Sequence, residues 1–120
     1  MEYRIIIDDM FSEGPFDTVQ EAFSACPSGH ESEVLLGNYP VGSFDEYHGE
    51  VLYLEDERRP AVREAMEYYI TECAFAGARL REDGKVEVHM RHTSGWEESD
   101  EYPTFTPAEY AWLEWEGLVR

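Results

Sequence analysis

The chain has 120 residues, with 27 acidic side chains against 9 Lys and Arg, a formal net charge of −18. That sign argues against nucleic acid and anionic membranes as partners, because both are held by Lys and Arg. With 42% hydrophobic and 14% aromatic residues, the composition also argues against a disordered acidic tail, so the expectation is one acidic domain over residues 1–120.

In chain order the first element is a strand over Tyr3 to Asp8, built on the β-branched run Ile5, Ile6 and Ile7. Ser12-Glu13-Gly14-Pro15 breaks it. Asp17 then caps a short helix, with Gln20 three residues on as a weak capping box. That helix carries Val19, Ala22, Phe23 and Cys26 and ends at Pro27-Ser28-Gly29. Glu33 to Asn38 reads as a second strand around Val34, Leu35 and Leu36. A turn-rich stretch runs from Gly37 to Gly49, and Glu50 to Glu55 is a third strand.

The clearest pattern is a long helix from about Arg59 to Ala76, with Pro60 in its first turn and Gly77 as the residue past its end. Val62, Ala65, Met66, Tyr69, Ile70, Cys73 and Ala74 fall on one face. Asp83-Gly84 predicts a hairpin. Its second strand alternates, with Val86, Val88 and Met90 to one side and Lys85, Glu87, His89 and Arg91 to the other. Thr93 to Tyr102 is a polar loop. Thr106, Pro107 and Glu109 then start a last helix as N-cap, N1 and N3. Ala108, Ala111, Trp112, Trp115, Leu118 and Val119 share its face, so both tryptophans belong to the core. The order β-α-β-β-α-β-β-α, with short hairpin links, predicts an α+β fold: a mostly antiparallel sheet of about five strands with two or three helices packed on it.

Two cysteines, Cys26 and Cys73, make no disulfide framework and read as small buried hydrophobes. The N-terminus lacks the pattern of a signal peptide, and no apolar run approaches a membrane span. The expected location is therefore the cytoplasm of a bacterial host cell.

Catalytic signals are weak. His89 and His92 are three apart on or beyond a strand, where they point to opposite faces, and Cys26 and His30 are separated by Pro27 and Gly29. Neither spacing makes a metal site. No nucleophile elbow, phosphate loop or dinucleotide fingerprint is present. Asp8 and Asp9 could form a carboxylate pair for Mg²⁺ in a small metal-dependent enzyme, but charged residues ending a buried strand explain them as well. The expectation is no enzyme, no cofactor and no metal.

Binding signals are stronger. On the outer face of the long helix, Glu57, Glu64, Glu67 and Glu72 surround Tyr68 and Phe75. Asp45 and Glu46 sit between Phe44 and Tyr47. Trp96, Glu97, Glu98, Asp100, Glu101 and Tyr102 form a third acidic-aromatic cluster. Exposed aromatics ringed by charge suit interface anchors, and rows of carboxylates can approximate the charge of a phosphate backbone. The leading expectation is thus a non-enzymatic inhibitor that enters the basic nucleic-acid-binding groove of a target protein. Phage inhibitors of CRISPR and restriction enzymes are analogous in size and charge alone. The alternatives are a bacterial immunity protein that neutralises a cationic nuclease toxin, or a domain adapted to a salt-rich cytoplasm. The single Lys85 fits the last of these, whereas 20 Glu against 7 Asp does not.

Overall fold

The computed structural model describes residues 1–91 and 102–119. Its first sheet has five antiparallel strands in the order β2-β1-β3-β4-β5: β1 Tyr3–Ile7, β2 Phe11–Phe16, β3 Ser32–Leu36, β4 Tyr39–Asp45 and β5 Gly49–Leu52. A smaller sheet follows in the order β6-β7-β8: β6 Phe75–Leu80, β7 Val86–Met90 and β8 Thr104–Phe105. Three helices, α1 Val19–Ser24, α2 Arg59–Glu72 and α3 Pro107–Trp115, complete the α+β fold.

Alternation fixes which face of the large sheet is buried. Tyr3, Ile5 and Ile7 on β1 and Val34 and Leu36 on β3 enter the core, while Ile6 pairs with Glu33, and Glu33 with Ser43, on the other face. A one-residue slip would bring Glu33 inside, so the register is strongly specified. Helix α1 packs on β1, β2 and β3. Helix α3 packs on β4, β5, β8, α1 and α2. Having neighbours on several sides, α3 buries Tyr110, Ala111, Trp112 and Leu113 in succession rather than along one stripe. Its start has both halves of the expected capping box: Thr106 Oγ1 accepts the Glu109 N–H, and Glu109 Oε1 accepts the Thr106 N–H. Trp112 is buried, and Trp115 packs edge-on to Phe23 at the margin of the core.

The two sheets meet along glycines. A Cβ on Gly37 would come 2.6 Å from Leu80 Cδ2, and one on Gly84 2.7 Å from the Tyr39 ring. Both glycines also have positive φ, 59° and 86°, which favours Gly at each position.

Several expectations need correction. Ser12 to Pro15 does not end the first strand pair. These residues form most of β2, an exposed edge strand where Pro15 has no ladder donor to lose. The stretch from Gly37 to Gly49 contains a full strand, β4, whose Pro40 and Gly42 were misleading turn signals. The cap of α1 is Thr18, not Asp17: its side chain accepts the Glu21 N–H, while Gln20 donates to the Glu114 carbonyl. Helix α2 ends at Glu72. Cys73 is its C-cap and Ala74 has φ +52°, so the chain turns and Phe75 opens β6, with Gly77 inside that strand. Both cysteines are half-buried at helix ends rather than within helices. Glu87, on the side opposite Val86 and Val88, is also buried on β7, against Arg79 and His89.

Candidate functional site

One end of the large sheet gathers acids from three separate segments. β1 and β4 both run antiparallel to β3, so the C-terminal ends of β1 and β4 flank the start of β3. Strands two apart lie about 10 Å from each other. The turn after β1 thus brings Asp8 and Asp9 beside Glu31 and Glu33, and beside Asp45 and Glu46 from the β4–β5 turn. Asp8 and Asp9 hold the left-handed conformation, with φ 52° and 57°, which aspartate tolerates better than most residues.

Hydrogen bonds fix this end. Asp8 accepts the Glu31 N–H and pairs with His30 Nδ1. Asp45 Oδ1 accepts the N–H groups of Tyr47 and His48, each at 2.8 Å, and its Oδ2 lies 3.0 Å from His48 Nδ1. The His30 side-chain bond, reinforced by the Glu31 N–H, holds the Asp8 carboxyl below the usual range. Backbone and side-chain bonds from His48 do the same for Asp45. Tyr53 donates to Glu33 Oε2 at 3.0 Å on the outer face of the sheet.

Large apolar side chains project from the same turns. Tyr47 is 96% exposed, Met10 76% and Phe11 60%. A depression of about 200 Å³ lies beside Tyr47, lined also by Asp8, Gly29, His30, Glu31, Asp45 and Glu46. Of this surface, sequence reasoning assigns Asp45 and Glu46, beside Tyr47, to binding, and weighs Asp8 and Asp9 only as a possible carboxylate pair for Mg²⁺. Asp8, Asp9, Glu31 and Glu33 join it through strand pairing, which local periodicity does not reveal.

The second acidic surface is the outside of α2. Glu64, Glu67 and Glu72 are exposed there with Tyr68, which is 57% exposed and leans edge-on against Tyr69. Contact with the Cys73 thiol, then Glu72, raises the Tyr68 phenol. Glu57 is exposed but lies in the 3-10 turn Asp56–Arg58 ahead of α2. Phe75 does not belong to this face: it sits on β6, half-buried against the core. Trp96, Glu97, Glu98, Asp100 and Glu101 lie outside the described residues. Tyr102 is half-buried, with its ring stacked on His89 at 4.3 Å.

Basic side chains are placed elsewhere. Arg58 bonds Glu109 at 2.8 Å, Arg63 approaches Glu116 at 3.7 Å, Arg79 bonds Glu87 at 2.6 Å, and Arg59 and Arg81 pair with Asp56 and Asp83. Arg59 and Arg63 also lie over the Trp112 ring, at 5.7 and 5.4 Å. Among the described residues, Glu64, Glu67 and Glu72 have no ion-pair partner, and the groups pairing with the sheet-end acids are the imidazoles of His30 and His48. Also among the described residues, no group of three or more His, Cys, Asp or Glu is arranged to hold a metal ion, and no helix is long and apolar enough to cross a membrane.

Comparison with protein-family models, with curated proteins and with solved structures returns no match.

Proposed function

We propose that this chain is a non-enzymatic inhibitor that seats its carboxylate surfaces in the basic, nucleic-acid-binding groove of another protein, such as a CRISPR effector or a restriction enzyme. The observation that carries this reading is the segregation of charge. Arg58, Arg59, Arg63, Arg79 and Arg81 are each committed to a carboxylate of their own, whereas the outer face of α2 and the end of the large sheet present acids beside exposed aromatics. A surface of one sign accelerates encounter with an oppositely charged groove, and aromatics beside it anchor the complex once formed. Helix α2 carries one surface, and hydrogen-bonded turns at the end of the large sheet carry the other, so little ordering cost attends binding.

The test is capture of the target with tagged protein, followed by elution with competing duplex DNA or with rising salt. The expected result is a basic nucleic-acid-binding protein that DNA displaces and that the variant Glu64→Lys/Glu67→Lys/Glu72→Lys with Asp45→Lys/Glu46→Lys does not retain. Retention by that variant, or resistance to DNA and salt, would defeat the reading.

A further inference from the structure

We infer that the free edge of β5 is a docking site for an extended, basic segment of a partner protein, which adds to the large sheet as a further antiparallel strand with cationic and apolar residues in alternation. The inference stands apart from the groove-blocking reading, because it concerns the backbone of β5 and not the carboxylate surfaces of α2 and the sheet end.

The register leaves this edge open. Tyr53 donates its N–H to the Val41 carbonyl at 3.0 Å, and the pairing continues as Leu52 with Gly42, Val51 with Ser43 and Glu50 with Phe44. Bonding alternates along an antiparallel ladder, so Tyr53, Val51 and Gly49 turn their backbone groups toward β4, while Glu50 and Leu52 turn theirs away. The Val51 carbonyl agrees, lying 2.6 Å from where a Cβ on Gly42 would stand. Because β5 is the last strand of its sheet, the N–H and carbonyl groups of Glu50 and Leu52 face no neighbouring strand. Such a row of groups is a template for an added strand. The other edges are less suited: β2 contains Pro15 and shifts register against β1, β8 has two residues, and β6 shares a depression with Met1, Glu2 and Gly37.

Side chains specify the occupant. Glu50 and Leu52 lie on the core side of β5, with Leu52 packed against the core and Glu50 exposed at its margin. Val51 and Tyr53 lie on the outer face, 37% and 40% exposed. An added strand therefore meets a carboxylate on one face and apolar surface on the other. Cross-strand pairing favours a cation beside Glu50 and a β-branched or aromatic residue beside Val51. Exposed Glu55 and Glu57 follow in the chain, and a net charge of −18 repels a second copy while attracting a basic segment. Backbone bonds then supply affinity, and the alternating side chains supply selectivity.

The probe is a capped peptide of four Arg-Val repeats, labelled for fluorescence anisotropy and titrated with the intact protein. In the antiparallel pairing, an arginine opposite Glu50 aims its own N–H at β5, and the valines aim theirs away. N-methylation of the arginine amides is expected to weaken binding about tenfold or more, through loss of the donors that face β5, whereas N-methylation of the valine amides leaves it unchanged. Hydrogen exchange of the Glu50 and Leu52 amides is expected to slow about tenfold when the unmodified peptide binds. Equal affinities of the two methylated peptides overturn the inference, since attraction to net charge alone would not distinguish them. Unchanged exchange at Glu50 and Leu52 overturns it too. Slowing of those amides with rising protein concentration in the absence of peptide would assign the edge to a second copy and rule out a basic occupant. None of these results bears on the carboxylate surfaces, whose test is displacement by duplex DNA.

Discussion

The carboxylate of Glu114 on α3 accepts the backbone N–H of Val19, the first residue of α1, at 2.7 Å across 95 positions of sequence. The open N–H groups of a short helix are thus satisfied from another helix, and the N-terminus of α1 in turn favours the negative charge. Gln20 returns a bond to the Glu114 carbonyl at 2.6 Å. Together these contacts tie the sheet layer of β1, β2 and β3 to the central helix.

Removing that carboxylate leaves the buried Val19 N–H without an acceptor. Glu114→Ala is expected to cost about 1–3 kcal/mol, the usual penalty for orphaning a buried donor, with a further loss from the void. A urea denaturation midpoint within error of wild type would refute this role.

Charge at the same position creates a pH dependence. Burial, as the leading cause, raises the Glu114 carboxyl above its ordinary range, although the Val19 N–H and the Tyr3 hydroxyl pull it back. The folded state then keeps a proton that the unfolded chain releases near pH 4.3, so this group's contribution to stability falls as pH rises from there through its raised value. Asp8, Asp45 and Glu87 are shifted downward and act in the opposite sense, losing their contribution as pH falls below the ordinary carboxylate range. Glu114→Gln removes only the first effect. Its stability relative to wild type should rise between pH 4 and 7, which paired denaturation curves at each pH would reveal.

Gly42 on β4 lies where three elements crowd together. A Cβ there would stand 2.6 Å from the Val51 carbonyl oxygen and 2.7 Å from Phe23 Cζ. The carbonyl belongs to backbone and cannot swing away, so Gly42→Ala should destabilise by about 1–3 kcal/mol through overpacking. A thermal melt no lower than wild type would show that the sheet accommodates the methyl group.

The outer acids of α2 should behave differently. Glu64→Lys/Glu67→Lys/Glu72→Lys touches exposed side chains without ion-pair partners among the described residues, and substitutions of that kind usually stay within about 0.5 kcal/mol each. Stability is therefore expected to hold, or to rise as self-repulsion declines, while binding to a basic partner is lost. A triple variant that unfolds would assign these glutamates to the fold instead of to binding.

The parts of the fold legible in the sequence were those with local causes. The Thr106-Pro107-Glu109 start of α3 and the Asp83-Gly84 hairpin depend on neighbours within four residues, and both stand as expected. Misreadings arose where distant packing overrides local propensity. Gly14 and Pro15 look like a break but occupy an edge strand, and Gly42 looks like a turn but is small because Phe23 packs on it. The end of α2 lacks a glycine, since Ala74 takes the left-handed turn itself, so the helical pattern in the sequence runs on to Ala76. The acidic end of the sheet required knowing that β1 and β4 lie on either side of β3, which no window of sequence contains.

If the chain acts as the groove-blocking inhibitor proposed above, its elongated outline, 52 × 27 × 20 Å, sets how much of a target it would occupy. At 3.4 Å of rise per base pair, its long axis matches about fifteen base pairs of duplex and its middle axis about eight. Laid along a channel, one molecule would therefore cover a footprint of about one and a half helical turns. Enzymes that grip short sites would be competed off completely, whereas those that track longer duplex would keep part of their contact and be slowed in proportion.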